Sequence, residues 1–170
     1  ILVIRYGIKY FNILKKNQIK ILVLTAFHRE YLKKILDRNK LISVMPNYLE
    51  INNELFNNET ESYVVYAGRI SEEKGVRELI ESFNNAELDN IKLKIIGVGP
   101  QYEKFNKLFS SSNIEFLGER ENTEVLEIIA KSKAVITATK LYEGQPTLLC
   151  EASSMGVPSF YPRTGGISEF

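Results

Sequence analysis

The 170-residue chain is predicted to fold as an α/β protein, a parallel sheet with helices on both faces. Three observations predict this. From Tyr63 onward, apolar runs of strand length alternate with stretches whose apolar residues recur at helical spacing. Glycine-bearing turns join the two kinds of segment. Hydrophobic content is 44% and charged content 25%, enough for a packed core and too apolar for a disordered chain. The length allows one full domain, or one domain plus part of another.

The elements follow in order. Ile19–Thr25 is an apolar run of strand length. Ala26–Asp37 carries Phe27, Tyr31, Leu32 and Ile35 at helical spacing. Leu41–Met45 is another short run, halted by Pro46-Asn47. The Asn- and Glu-rich stretch over 50–61 has little periodicity and reads as a linker. Tyr63–Ala67 is then a strand, and Val76, Leu79, Ile80 and Phe83 mark a helix. Lys92–Ile96 is a strand and Pro100–Phe109 a helix. Ile114–Leu117 is a strand and Thr123–Ala130 a helix. Ala134–Ala138, Pro146–Met155 and Pro158–Tyr161 read as strand, helix and strand.

Composition excludes several function classes. The single Cys150 rules out an intramolecular disulfide, no zinc spacing exists, and a reducing cytoplasm is the natural setting. His28 is the only histidine and has no cysteine or histidine neighbour with which to share a metal, so it reads as a surface or satisfied histidine. Net charge is +1, but residues 1–40 hold ten Lys/Arg against two Asp/Glu, and residues 41–170 hold twelve against nineteen. A basic arm of this kind favours an anionic surface. Beside Lys9, Lys15 and Lys16, the residues Tyr10, Phe11, Ile13 and Leu14 supply apolar contact for an anionic membrane face; a solvated basic helix is the plain alternative. No nucleic-acid partner is expected. Ile1–Ile4 and Ile19–Leu24 are too short to span a membrane, and no signal peptide is legible. The chain opens in mid-pattern and stops at Phe170 without a closing element, which reads as a fragment.

The most informative stretch is Glu143-Gly-Gln-Pro-Thr-Leu-Leu-Cys-Glu151. Pro146 suits the first turn of a helix, where its missing N–H costs nothing. Gly144 lets backbone approach a ligand closely. Unpaired N–H groups at the helix start form an anion site. From Pro146 to Glu151 the helix rises about 7 Å, roughly the reach of a diphosphate. One carboxylate then serves each end of a ligand. An ordinary helix start with two solvated glutamates accounts for the segment equally well. Leu148, Leu149, Ala152 and Met155 share an apolar arc, and Glu151 falls at its edge. A carboxylate there needs a partner, either a ligand hydroxyl or a neighbouring Arg or Lys.

Ligands of parallel α/β sheets bind at the carboxyl ends of the strands. Four glycine-bearing loops fall at that edge: Gly68-Arg69, Gly97-Val98-Gly99-Pro100, Gly118-Glu119-Arg120 and Leu141-Tyr142-Glu143-Gly144. Each is an ordinary turn when taken singly; together they place two arginines, Lys74 and two glutamates on one edge. Gly97-Val98-Gly99 is no dinucleotide fingerprint, because Tyr102 stands where a third glycine is needed. No P-loop and no Gly-x-Ser-x-Gly elbow occurs.

The segments Tyr66-Ala-Gly-Arg-Ile-Ser-Glu-Glu-Lys-Gly75 and Ile95-Ile-Gly-Val-Gly-Pro100 resemble the phosphate-binding parts of retaining nucleotide-sugar glycosyltransferases of group 1 (family 4). Glu143 to Glu151, with seven residues between the acids, resembles that family's paired-glutamate motif. Ala-Ser-Ser-Met-Gly-Val-Pro158 and Gly165-Gly-Ile-Ser-Glu169 also fit. The match is strong over 60–170 and loose over 20–50.

The resemblance implies one half of a GT-B architecture, in which two Rossmann-like domains face each other across a cleft. Residues 1–49 are then the end of the acceptor-side domain, 50–61 a linker, and 62–170 an incomplete donor-binding domain. It also implies roles. Arg69 and Lys74 hold the diphosphate, Glu143 lies near the transferred sugar, and these three are the catalytic set. Glu151 takes the ribose hydroxyls. Gly144, Gln145, Pro146, Thr147 and Leu148 meet phosphate or sugar, Gly68, Gly97 and Gly99 line the donor, and Gly118, Glu119 and Arg120 meet the base. Gln145 departs from the bulky apolar residue usual in the family. The histidine usual in the family's first domain has no match, and His28 does not fit its motif.

The implied reaction retains anomeric configuration and uses no metal and no cofactor; the nucleotide sugar is the donor substrate. The implied acceptor is a sugar or lipid-linked sugar of a surface polysaccharide or glycolipid. The implied location is the cytoplasm, or the inner membrane face. Two alternatives stand beside this: a sugar-nucleotide epimerase of the same architecture, and a nucleotide-binding module without transfer activity.

Overall fold

The computed structural model describes residues 12, 13, 15, 19–36, 41–47, 49 and 59–169. Most of the basic arm, and residues 50–58 of the expected linker, lie outside them. Strand β1 (Ile21–Val23), helix α1 (Ala26–Ile35) and strand β2 (Ile42–Val44) form a small unit in which the two strands pair in parallel, Ile21 opposite Ile42. Ile21, Leu36 and Ile42 are its buried centre.

The larger unit contains β3 (Tyr63–Ala67), a 3-10 turn (Glu72–Lys74), α2 (Val76–Asn85), β4 (Lys92–Ile96), α3 (Tyr102–Phe109) and β5 (Ile114–Gly118). It continues through α4 (Asn122–Ala130), β6 (Ala134–Ile136), α5 (Thr147–Ser154), β7 (Ser159–Phe160) and a second 3-10 turn (Gly165–Glu169). The sheet order is β5-β4-β3-β6-β7, and every pairing is parallel. This is a Rossmann-like sheet covered on both faces.

The period-2 alternation of β3 sorts its residues between two cores. Val64 and Tyr66 pack with Val76, Leu79, Ile80 and Phe83 of α2 and Phe105 of α3. Tyr63 and Val65 pack with Ile129 of α4 and Leu148, Leu149 and Ala152 of α5. A central strand covered on both faces must be apolar throughout, and Tyr63–Tyr66 are all buried.

Winding outward through β4 to β5 and then back to β6 leaves a switch point between β3 and β6. The connections there depart in opposite directions, which opens a crevice at the carboxyl ends. Gly75 helps to close its floor. It is left-handed (φ 66°), and a Cβ there would lie 2.0 Å from the carbonyl oxygen of Ala138 beyond β6. The β6 strand ends at Ile136, two residues short of its expected end at Ala138. Among the described residues, no helix is long and apolar enough to cross a membrane.

Candidate functional site

A pocket of about 150 Å³ lies in that crevice. Gly68, Arg69 and Lys74 form one wall, after β3; Glu143, Pro146, Thr147 and Leu148 form the other, after β6. These seven residues were all expected at the site.

The two walls are joined by an ion pair. Lys74 Nζ lies 2.6 Å from Glu143 Oε1, with both side chains largely shielded from solvent. Lys74 therefore pairs across 69 residues and not with the adjacent Glu72 or Glu73. The hydroxyl of buried Thr139 donates to the same Glu143 oxygen at 2.7 Å and accepts the Leu141 N–H at 3.2 Å. Glu143 is thus oriented from two sides. On the opposite wall, the phenol of buried Tyr66 donates to the carbonyl of Arg69 at 2.9 Å and holds that turn. Burial, then the charges of Glu143 and Glu73, pushes the Tyr66 phenol pKa upward, so the donor proton stays in place. The Arg69 side chain is exposed at the mouth.

Helix α5 begins at Thr147. Pro146 is its N-cap, with ψ 130°, and not part of the first turn as the sequence suggested. The Pro146 carbonyl accepts from Leu149 N and Cys150 N, so the helix's own ladder starts there. Among the described residues, no side chain caps this end. Thr147 and Leu148 of this first turn line the pocket, and their N–H groups have no intrahelical acceptor, at the positive end of the helix dipole. One turn further, Glu151 is half-buried, and burial raises its carboxyl pKa. Its carboxylate has no hydrogen-bond or ion-pair partner among the described residues.

The remaining expected residues lie beyond the pocket wall. Gly97 (φ 120°) is in tight backbone contact: a Cβ there would sit 2.2 Å from the Gly68 carbonyl oxygen, and its N–H donates to Gly118 O at 2.7 Å. Gly99 lies against Ile70 in the same way. These glycines allow the loops after β3, β4 and β5 to stack on one another. Glu119 and Arg120 are exposed beside them. Gly144 abuts His28 of α1. Gln145 is held by Asn47, whose N–H donates to Gln145 Oε1 at 2.5 Å and whose Nδ2 donates to Gln145 O at 2.9 Å.

Thr139, Tyr66 and Asn47 are site residues that the sequence reading did not single out. Only strand order and loop path bring Asn47 to Gln145, and no local pattern marks Thr139. Among the described residues, no group of three or more His, Cys, Asp or Glu side chains is arranged to hold a metal ion.

Residues 47–170 match the family described as glycosyl transferases group 1. The chain belongs to that family. Among curated relatives, this glycosyltransferase chain is 31% identical over 121 residues to the sulfoquinovosyl transferase SQD2 of Arabidopsis thaliana, covering 71% of the chain and 23% of that protein.

Among solved structures, it resembles a TarM variant of S. aureus in complex with Fondaparinux, alpha-GlcNAc-glycerol and UDP: TM-score 0.82, 24% identity, 95% of this chain and 34% of that one. The sucrose-phosphate synthase of Thermosynechococcus elongatus gives TM-score 0.74 at 18% identity, over 93% of this chain and 44% of that one. At these identities the structural likeness is one of fold. The chain spans about a quarter of the plant relative and about a third of TarM.

Proposed function

We propose that this chain is the donor-binding side of an enzyme that moves a sugar from a nucleoside-diphosphate sugar to a sugar or lipid-linked sugar acceptor. The observation that carries the reading is the pocket itself. It combines two cationic side chains, an oriented glutamate and the open N-terminus of α5, with an unpaired, half-buried carboxylate one turn away.

The parts divide the work. Arg69, Lys74 and the first N–H groups of α5 suit a diphosphate, whose negative charge grows as the sugar–phosphate bond breaks. Stabilising that charge is where preorganised donors contribute most. Glu143 sits at the sugar end, held by Thr139. Glu151 offers its carboxylate to a pair of ligand hydroxyls, such as those of ribose; such a partner offsets the cost of its burial. Gly118, Glu119 and Arg120 are assigned to the base, next to the stacked loops after β4 and β5. The leaving diphosphate is neutralised by protein cations in place of a metal, and the resemblance to retaining enzymes supports transfer with retention.

Residues 62–170 are read as the donor-side domain and 1–49 as the end of the acceptor-side domain. The basic arm fits an enzyme working on lipid-linked acceptors at an anionic cytoplasmic membrane face, in polysaccharide or glycolipid assembly. The test is transfer by the intact protein from labelled UDP-, GDP- and ADP-sugars, with anomeric configuration read by NMR. Labelled product that disappears in Lys74→Ala supports the reading. Nucleotide binding without any product identifies a binding module instead, and interconversion of the free nucleotide sugar identifies an epimerase.

A further inference from the structure

We propose that Glu143 and the donor's diphosphate compete for the ammonium group of Lys74, so that Glu143 limits how tightly the site holds the nucleoside diphosphate that leaves. The proposal rests on the donor-site reading above and gives that site a means of releasing its product.

The two partners of the ion pair are held very differently. Glu143 is anchored at both its ends. Its Oε1 accepts the hydroxyl of buried Thr139 at 2.7 Å. Its carbonyl accepts the Gly166 N–H at 2.9 Å. Gly165 packs on the same carbonyl so closely that a Cβ there would lie 2.8 Å from the oxygen. Thr139 is itself tied to the Leu141 N–H at 3.2 Å.

Lys74 is fixed only through its backbone. Its N–H donates to Ser71 O at 3.2 Å, and the Gly75 that follows is pressed on the Ala138 carbonyl. Its side chain has one hydrogen-bonded partner among the described residues, Glu143 Oε1 at 2.6 Å. A lysine carries its charge on a flexible four-carbon stem with three donors. Lys74 is therefore the partner that moves.

Charge explains why the two anions compete. Both side chains of the pair line the pocket and are largely shielded from solvent, whereas Arg69 is exposed at the mouth. The intact pair presents no net charge to a ligand. A diphosphate that enters meets a carboxylate whose repulsion is poorly screened, because shielded charges feel solvent and salt less than exposed ones do. Binding through Lys74 must offset the pair that it breaks.

The balance shifts during transfer. As the sugar–phosphate bond breaks, its electron pair stays on the phosphate oxygen and the negative charge there grows. Lys74 then contributes more to the transition state than to binding of the donor. Once the sugar has gone, Glu143 stands in place to reclaim Lys74 and loosen the nucleoside diphosphate. Its Oε2, which has no partner among the described residues, stays available to the sugar.

The experiment is a double-mutant cycle on the intact protein, read by calorimetry with UDP, GDP and ADP. For the nucleoside diphosphate that binds, Glu143→Gln should tighten binding about five-fold, the upper range for release of a partly shielded ion pair. Should that variant fail to fold, Glu143→Ala replaces it and should act in the same direction. In a Lys74→Ala background the same substitution should gain less than about two-fold, because the group competed for is gone. Thermal melts fix a temperature at which all the proteins are folded. Unchanged or weaker binding without the Glu143 carboxylate overturns the competition and leaves the donor site standing. A gain that persists in full without Lys74 overturns it too, since plain repulsion between Glu143 and the diphosphate then accounts for the effect. If no nucleoside diphosphate binds either the wild type or the Glu143 variant, the donor-site reading fails and the competition with it.

Discussion

The two ends of the five-stranded sheet carry pockets of very different size. At the amino ends of β3, β4 and β5 a cavity of about 560 Å³ is lined by Tyr63, Lys92, Lys94 and Glu115 among others. At the carboxyl ends the pocket holding Lys74 and Glu143 is only about 150 Å³. Both contain a lysine–glutamate pair of nearly equal length, 2.7 Å for Lys92–Glu115 and 2.6 Å for Lys74–Glu143.

They differ in surroundings. The Lys92 side chain is 51% exposed and that of Glu115 35%, whereas Lys74 and Glu143 are 28% and 17% exposed. Exposed pairs of the first kind contribute about 0–1 kcal/mol. Lys94 lies over the Tyr63 ring, 3.5 Å from its centroid, and is thereby satisfied by the protein itself. Among the described residues, only the carboxyl end has an open helix N-terminus and an unpartnered, half-buried carboxylate. The proposed site is thus the smaller of the two pockets, chosen for its chemistry and not its volume.

The sharpest break of this comparison is Lys74→Ala in the intact enzyme. Removing a cation that meets charge growing in the transition state should lower turnover by about 10²–10³, or 3–4 kcal/mol. Ground-state donor affinity should change much less, as steady-state kinetics beside calorimetry will show. Arg69→Ala should act in the same direction. A loss confined to affinity would show that these residues bind the donor without acting on the reaction.

Glu151 comes next. Its expected partners are ligand hydroxyls that do not change during transfer. Glu151→Ala should therefore weaken donor binding by about 1–3 kcal/mol and leave the turnover of bound donor nearly intact. Glu151→Gln should be milder.

The raised Glu151 pKa gives a signed pH prediction. Above the unfolded carboxyl value and up to the raised folded value, the native state holds the proton more firmly than the unfolded chain does. Stability from this group is thus full at lower pH and is lost as pH rises through the folded value. Denaturant midpoints measured from pH 4 upward should show this fall in the ligand-free wild type. Glu151→Gln should lack that component. Identical slopes in the two proteins would mean that burial does not perturb this carboxyl.

The smallest effect is expected at the other end of the sheet. Lys92→Ala should change stability by less than about 1 kcal/mol, the range of exposed pairs. Donor affinity and turnover should be unaffected, and a marked loss of either would move the functional site to the larger cavity.

Local order was legible in the amino-acid sequence from Tyr63 onward. Strand and helix periods of 2 and 3.6 residues are set by each segment's own apolar spacing, so β3 and β4 emerged at their observed bounds, and the four apolar residues that marked α2 all lie within it, on its buried face. The carboxyl-edge placement of Gly68, Arg69, Lys74 and Glu143 followed as well, because parallel strands put all their exits on one side. The apolar arc of Leu148, Leu149 and Ala152 likewise anticipated that Glu151 would be half-buried.

The tertiary structure alone decided which of these groups meet. Lys74 reaches Glu143 across 69 residues, Asn47 reaches Gln145 across 98, and Glu169 reaches Ala26 across 143. No periodicity encodes such pairs. They depend on the order β5-β4-β3-β6-β7, which sets β6 beside β3, and on the path of the loops beyond it. The structure also turned Pro146 from a first-turn residue into the cap of α5, and brought His28, a histidine without neighbours in the sequence, against Gly144. Side-chain spacing along the chain determines the faces of helices and strands; the closing of distant loops over one crevice determines which charges are shielded.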